Sequence, residues 1–177
     1  VTRGGVTISG GEPLVQAPFV RQVFRQCKAL GIHTALDTNG ALGDRLSDED
    51  LADIDLVLLD IKSWDAATHR NVTQHDVAPV LRFGQRLSAL GRPTWLRFVL
   101  VPGLTDDAAN VEGIAQFAAS LRSLERVEVL PFHQLGGFKW QQLGVAYPLA
   151  HTAPPTPELL ARVTGQFRAH GLTTFPS

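Results

Sequence analysis

The stretch Asp55-Leu56-Val57-Leu58-Leu59-Asp60-Ile61-Lys62 decides the fold. It is short, rich in Leu, Val and Ile, and bounded by polar turn residues, which is how a buried strand of a parallel sheet reads. Working outward, runs of the same kind recur at residues 4–9, 32–37, 94–101 and 127–131. Helical stripes lie between them. Val20, Val23, Phe24 and Cys27 fall on one helix face, with Pro18 in the first turn and Gly31 as the stop. Ser47 and Asp50 resemble a capping box, with Asp in place of the usual Glu or Gln. Pro79 opens a helix lined by Val80, Phe83, Leu87 and Leu90, and Gly91 closes it. Val111, Ile114, Ala115, Ala118 and Leu121 form another stripe. Thr156-Pro157 starts the last helix, whose inward residues are Leu160, Val163 and Phe167, and Gly171 ends it.

Strand–helix alternation predicts an α/β domain spanning residues 1–177, with a parallel sheet and helices outside. An open doubly wound sheet and part of a barrel both fit, whereas a complete eightfold barrel typically needs about 250 residues. Residues 132–156, with Gly136-Gly137 and Pro154-Pro155, read as one long irregular segment.

Composition narrows the function. Sixteen Lys and Arg against 17 Asp and Glu give a net charge of −1, which argues against a polybasic nucleic-acid or membrane surface. Hydrophobic residues make up 44% of the chain, yet no apolar run approaches the roughly 20 residues of a membrane helix. Cys27 is the single cysteine, so a disulfide framework is excluded and a reducing, cytoplasmic setting is expected. One cysteine also cannot supply an ordinary cysteine-ligated cluster or zinc site.

In parallel α/β folds the site lies at the C-terminal ends of the strands. Those ends carry Ser9-Gly10-Gly11-Glu12-Pro13, Asp37-Thr38-Asn39-Gly40, Asp60-Ile61-Lys62, Arg97 before Pro102-Gly103, and Pro131-Phe132-His133. Each has a bland reading. Gly10-Gly11 serves an ordinary turn as well as a ligand cradle. Asp37-Thr38-Asn39 reads first as an Asx-type turn. Asp60 and Lys62 share a strand face and form either a rim ion pair or a cradle for a zwitterion. Arg97 interrupts an apolar strand, and a charge there needs a partner, which favours a site role. His133 alone reads as structural or exposed, and Cys27 as a core thiol. No nucleophile elbow, phosphate loop or dinucleotide fingerprint is present.

Taken in order, five segments resemble the radical S-adenosylmethionine (SAM) superfamily, in its branch of pyruvate formate-lyase activating enzymes. They run over residues 5–13, 31–40, 55–62, 95–103 and 130–136. The Gly-Gly-Glu-Pro motif marks only the superfamily. The ordered set of Asp-Thr-Asn-Gly, Asp-Ile-Lys and Leu-Pro-Phe-His is much more specific.

The resemblance implies a partial (β/α)6 barrel. It implies an oxidoreductase that cleaves SAM at a reduced [4Fe-4S] cluster, whose 5′-deoxyadenosyl radical takes hydrogen from a glycine of a glycyl-radical partner, pyruvate formate-lyase. A flavodoxin-type or ferredoxin-type electron donor and a role in anaerobic glucose metabolism come with it. Carried over by motif, Gly10, Gly11 and Glu12 would bind the SAM amino group. Asp60, Ile61 and Lys62 would lie by its methionyl part, Asn39 and Arg97 in the same pocket, and His133 at the adenosyl end. Asp37, Thr38 and Asp60 would match a monovalent cation site.

The family's Cys-x-x-x-Cys-x-x-Cys loop is absent, so the iron–sulfur ligands are missing from this chain. The sequence resembles units two to six of six, and a barrel lacking its first βα unit is expected. A start placed too far downstream, or a truncated gene, would account for Val1. The alternative is a degenerate, cluster-free module that binds SAM or a partner.

Overall fold

The computed structural model describes residues 4–175 and bears out the alternation. Six strands form one sheet: β1 Gly5–Ile8, β2 His33–Thr38, β3 Leu56–Asp60, β4 Thr94–Leu100, β5 Leu124–Pro131 and β6 Thr174–Phe175. They lie in sequential order, and every neighbouring pair is parallel. A doubly wound sheet reverses its strand order at a switch point. No reversal occurs here, so the partial-barrel reading holds. Among the described residues β1 and β6 are the two edges, and the sheet is not closed.

The helices are α1 Ala17–Ala29, α2 Asp48–Ala52, α3 Ala66–Thr73, α4 Ala78–Ala89, α5 Ala108–Ser120, α6 Gly137–Gln142 and α7 Pro157–Ala169. Their ends follow local chemistry. The Ser47 hydroxyl accepts from the Asp50 amide at 3.1 Å, and the Asp50 carboxylate accepts from the Ser47 amide at 2.9 Å, completing the box at α2. Asp65 caps α3, Asp107 caps α5 and Thr156 caps α7.

Side chains alternate across the sheet. Leu36 of β2, Leu59 of β3, Leu96, Phe98 and Leu100 of β4 and Val127 and Val129 of β5 point outward into the core. They meet Val20 and Phe24 of α1, Phe83 and Leu87 of α4, Ile114 and Phe117 of α5, and Val163 and Phe167 of α7. Burial of such side chains, at about 1.5–3 kcal/mol each, is what holds the helices to the sheet. Cys27 belongs to this apolar side, buried on α1.

Two expectations need revision. β5 begins at Leu124 rather than at residue 127. The ladder slips there, pairing Thr94 with Leu124 but Trp95 with Arg126, so Glu125 is left out as a bulge. Polar residues at 125 and 126 hide that strand start from an apolar-run reading. The segment 132–156 is also less irregular than expected, since it contains a 3-10 turn at Gln134–Gly136 and then α6.

Candidate functional site

The exits of β1, β2 and β3 are tied into one rim. Past β1, Gly10 has φ 142°, a conformation open to glycine, and a Cβ at Gly10 or Gly11 would meet nothing within 4 Å. The backbone of this turn is therefore uncovered. Glu12 follows, and its carboxylate is saturated by donors from this chain. Oε1 accepts from the Leu14 amide at 3.0 Å, and Oε2 from the Asn39 amide at 2.9 Å. The Thr38 hydroxyl lies 2.8 and 3.0 Å from the two oxygens. Glu12 is thus the strut that fastens the glycine turn to the end of β2.

The Asx-turn reading of the β2 exit is correct. Asn39 Oδ1 accepts from the Ala41 amide at 2.9 Å, and the Thr38 hydroxyl accepts from the Gly40 amide at 3.0 Å. Gly40 has φ 74°, and a Cβ there would stand 2.6 Å from Leu59 Cδ1. Only glycine lets this turn close against β3.

At the β3 exit Lys62 Nζ donates to Asp60 Oδ2 at 2.9 Å, so the two groups do share a face. Ile61 between them is buried on the other side. Asn39, Asp60 and Lys62 line one cavity of about 230 Å³, together with His69, Thr73 and His75. A second cavity of about 410 Å³ adjoins it, lined by Glu12, Asn39, His75 and Asp76. His69 is buried, with Nδ1 3.3 Å from the Ser63 carbonyl. Burial pushes its pKa down, and the nearby Lys62 and His75 act in the same direction against the Ser63 carbonyl and Asp76. His69 is therefore neutral at pH 7, with its proton on Nδ1 toward that carbonyl.

Arg97 points to the inner face of the sheet and reaches across β3 to Asp37 at 2.9 Å. Its Nε lies 3.5 Å from Glu128, which also pairs with Arg126 at 2.5 Å. The inner face thus carries the alternating row Asp37, Arg97, Glu128, Arg126. The Arg126 guanidinium stands 3.3 Å over the Trp95 ring and 5.4 Å from Phe175. Glu128, Arg126 and Trp95 were not singled out from sequence. The signal was the period-2 pattern of Arg126-Val127-Glu128-Val129, masked by an emphasis on apolar runs.

His133 lies at the β5 exit, exposed, where Nδ1 accepts from the Leu135 amide at 3.4 Å. It touches none of the other candidates among the described contacts. The monovalent-cation expectation for Asp37, Thr38 and Asp60 gains no support. Arg97 engages Asp37, Glu12 engages Thr38 and Lys62 engages Asp60. Among the described residues no group of three or more His, Cys, Asp or Glu stands ready for a metal. Among the described residues no helix is long and apolar enough to cross a membrane.

Comparison with known proteins identifies the family. Residues 2–115 match the Radical SAM superfamily. The pyruvate formate-lyase-activating enzyme of Staphylococcus epidermidis is 44% identical over 161 residues, covering 88% of this chain and 64% of that protein. The pyruvate formate-lyase 1-activating enzyme of Escherichia coli K12 is 41% identical over 170 residues, covering 95% and 69%. The chain thus spans about two thirds of the length of these relatives. A crystal structure of a domain of pyruvate-formate lyase-activating enzyme from Bacteroides vulgatus superposes with a TM-score of 0.79 at 26% identity, covering 97% of both chains.

Proposed function

Because this chain belongs to the radical SAM superfamily, we propose that it is the SAM-binding part of an enzyme that activates pyruvate formate-lyase. The observation that carries the reading is the joining of Glu12, Asn39, Asp60 and Lys62 along two adjoining cavities at one rim. SAM presents an ammonium, a carboxylate and a sulfonium, so it needs both signs of charge close together. The open backbone of Gly10 and Gly11, held by the Glu12 strut, receives the amino group. Lys62 faces the carboxylate and Asp60 the positive end of the methionyl part, with Ile61 setting their shared orientation. Asn39 and Arg97 border the pocket, and His133 meets the adenosyl end. When bound, SAM supplies the reactive adenosyl group.

The residues present do not fit a [4Fe-4S] cluster. Cys27 is the one cysteine, and it is buried on the apolar side of α1. Cluster ligands, and the docking of a flavodoxin-type or ferredoxin-type donor, would belong to another part of a longer protein. The glycine-bearing segment of pyruvate formate-lyase is the proposed protein substrate, in a cytoplasmic setting.

Two measurements test this. SAM titrated into the 15N-labelled chain should shift the amides of residues 10–12, 39 and 60–62, and replacing Asp60 and Lys62 together with Ala should abolish those shifts. Shifts confined elsewhere would overturn the site. The DNA upstream of the Val1 codon should encode three cysteines in frame at the Cys-x-x-x-Cys-x-x-Cys spacing. A stop codon there would remove the activase reading and leave the cluster-free SAM-binding module.

A further inference from the structure

Ser63 follows Lys62 directly and is fully buried. It is gripped on two sides. Its carbonyl meets His69 Nδ1, and its hydroxyl donates to Asn110 Oδ1 at 2.7 Å. That same oxygen accepts from the Trp64 amide at 2.8 Å and the Asp65 amide at 3.0 Å. One buried side-chain oxygen therefore terminates three donors from three consecutive residues. The other end of the amide is used as well, since Asn110 Nδ2 donates to the Thr105 carbonyl at 2.7 Å. The Thr105 hydroxyl in turn donates to the Val99 carbonyl and accepts from the Val101 amide, each at 2.9 Å.

Asn110 thus links the exit of β3, which carries Asp60 and Lys62, through Thr105 to the exit of β4. One turn further along α5, Gly113 completes the seat. A Cβ there would stand 2.2 Å from Trp64 Cδ1, so only glycine leaves room for the indole against the helix. The backbone after Lys62 has one place to go. A lysine has a long, flexible stem, so where its ammonium stands depends on how firmly that backbone is held.

We propose that Asn110 is a positioning residue for SAM binding, acting through Ser63–Asp65 to aim Lys62 at the methionyl carboxylate. It touches no ligand itself. The inference rests on the SAM reading given above. A purely structural asparagine would produce the same contacts, so the discriminating quantity is its coupling to Lys62.

The test is a double-mutant cycle on the SAM Kd of the 177-residue chain, measured by calorimetry, with a thermal melt of every variant. Lys62→Ala is expected to weaken SAM about tenfold, and Asn110→Ala about fivefold. In the Lys62→Ala background, Asn110→Ala should add no further loss. Asn110→Asp keeps the three-donor acceptor but sets a carboxylate oxygen against the Thr105 carbonyl. It should lower the melting temperature yet hold SAM affinity within about twofold of the parent. If Asn110→Ala fails to fold, Asn110→Ser takes its place in the cycle. Equal losses from the Asn110 variant with and without Lys62, or no loss in either, would overturn the inference and leave the SAM site standing. An unchanged Kd in Lys62→Ala would overturn the SAM reading of this rim, and the inference with it.

Discussion

β4 separates two regions that are held in different ways. On its outer side Leu96, Phe98 and Leu100 have no exposed surface and belong to the apolar core beneath the helix layer. On its inner side Trp95, Arg97 and Val99 are partly open, and Arg97 sits between two carboxylates. A parallel sheet covered on both faces would be apolar on both. The alternation along β4 therefore tells which face the helices cover and which face is kept for polar contacts. Loss of a side chain on the outer face should register as lost stability. Loss on the inner face should register chiefly as lost ligand binding.

The largest effect expected is on the outer side. The Phe98 and Phe167 rings lie 6.2 Å apart between centroids, and both residues are fully buried. Phe98→Ala should cost about 4 kcal/mol of unfolding free energy in a urea titration. A cost below about 1 kcal/mol would mean that the outer layer is loosely packed, and the contrast would fail.

Arg97→Ala comes next. It strands Asp37 without its cation and leaves Glu128 on Arg126 alone, but both carboxylates can still reach water, so the cost should be about 2 kcal/mol rather than the larger value of a sealed pair. Replacing Arg97→Met together with Asp37→Asn should return to within about 1 kcal/mol of the parent, because Glu128 keeps Arg126 and no charge is then left alone. SAM binding should be lost in both variants. A stable double variant with intact SAM binding would break the division between the two faces.

That division also explains what the sequence made legible. The strands and helices were readable because the outer face is a run of Val, Leu, Ile and Phe at regular spacing, closed by Pro, Gly and Ser. The rim was readable because its residues sit at strand ends within short motifs. Its bonding was not. Nothing in the order of residues says that Glu12 spends its carboxylate on Leu14, Thr38 and Asn39. Nor does it say that Asp37 and Thr38 bond to Arg97 and Glu12. Asn110 was invisible for the same reason. Its partners Ser63, Trp64 and Asp65 lie more than forty positions away, and only the fold brings them within hydrogen-bond reach.

A smaller effect is expected where the outer layer meets solvent. Ser47→Ala removes the hydroxyl that accepts from the Asp50 amide and should cost about 1 kcal/mol by the same urea titration, with SAM affinity untouched. A change in SAM affinity would show that the end of α2 communicates with the rim.

The weakest signal should be the pH dependence, and its sign follows from three groups. Burial alone would raise the Asp50 carboxyl, but the Ser47 hydrogen bonds and the Arg21 charge outweigh it and leave the pKa below the ordinary 3.8. Burial also opposes the shift at Asp55, where Lys28 and Thr34 prevail and the pKa again falls below 3.8. Both carboxylates stabilise the fold above their unfolded pKa, and that contribution disappears as pH falls through the lower folded values. His69 is lowered from 6.5 mainly by its burial, so the unfolded chain takes up a proton that the folded chain refuses. Its contribution is complete above pH 6.5 and declines as pH falls below it. Stability should therefore ease downward first on the acid side of 6.5 and again on the acid side of 3.8. His69→Gln should remove the first decline in urea titrations across pH 7.5 to 5 and leave the second. A first decline that survives His69→Gln would mean that another group carries it. Protonation of His69 would then not be what loosens the cavity wall beside Lys62.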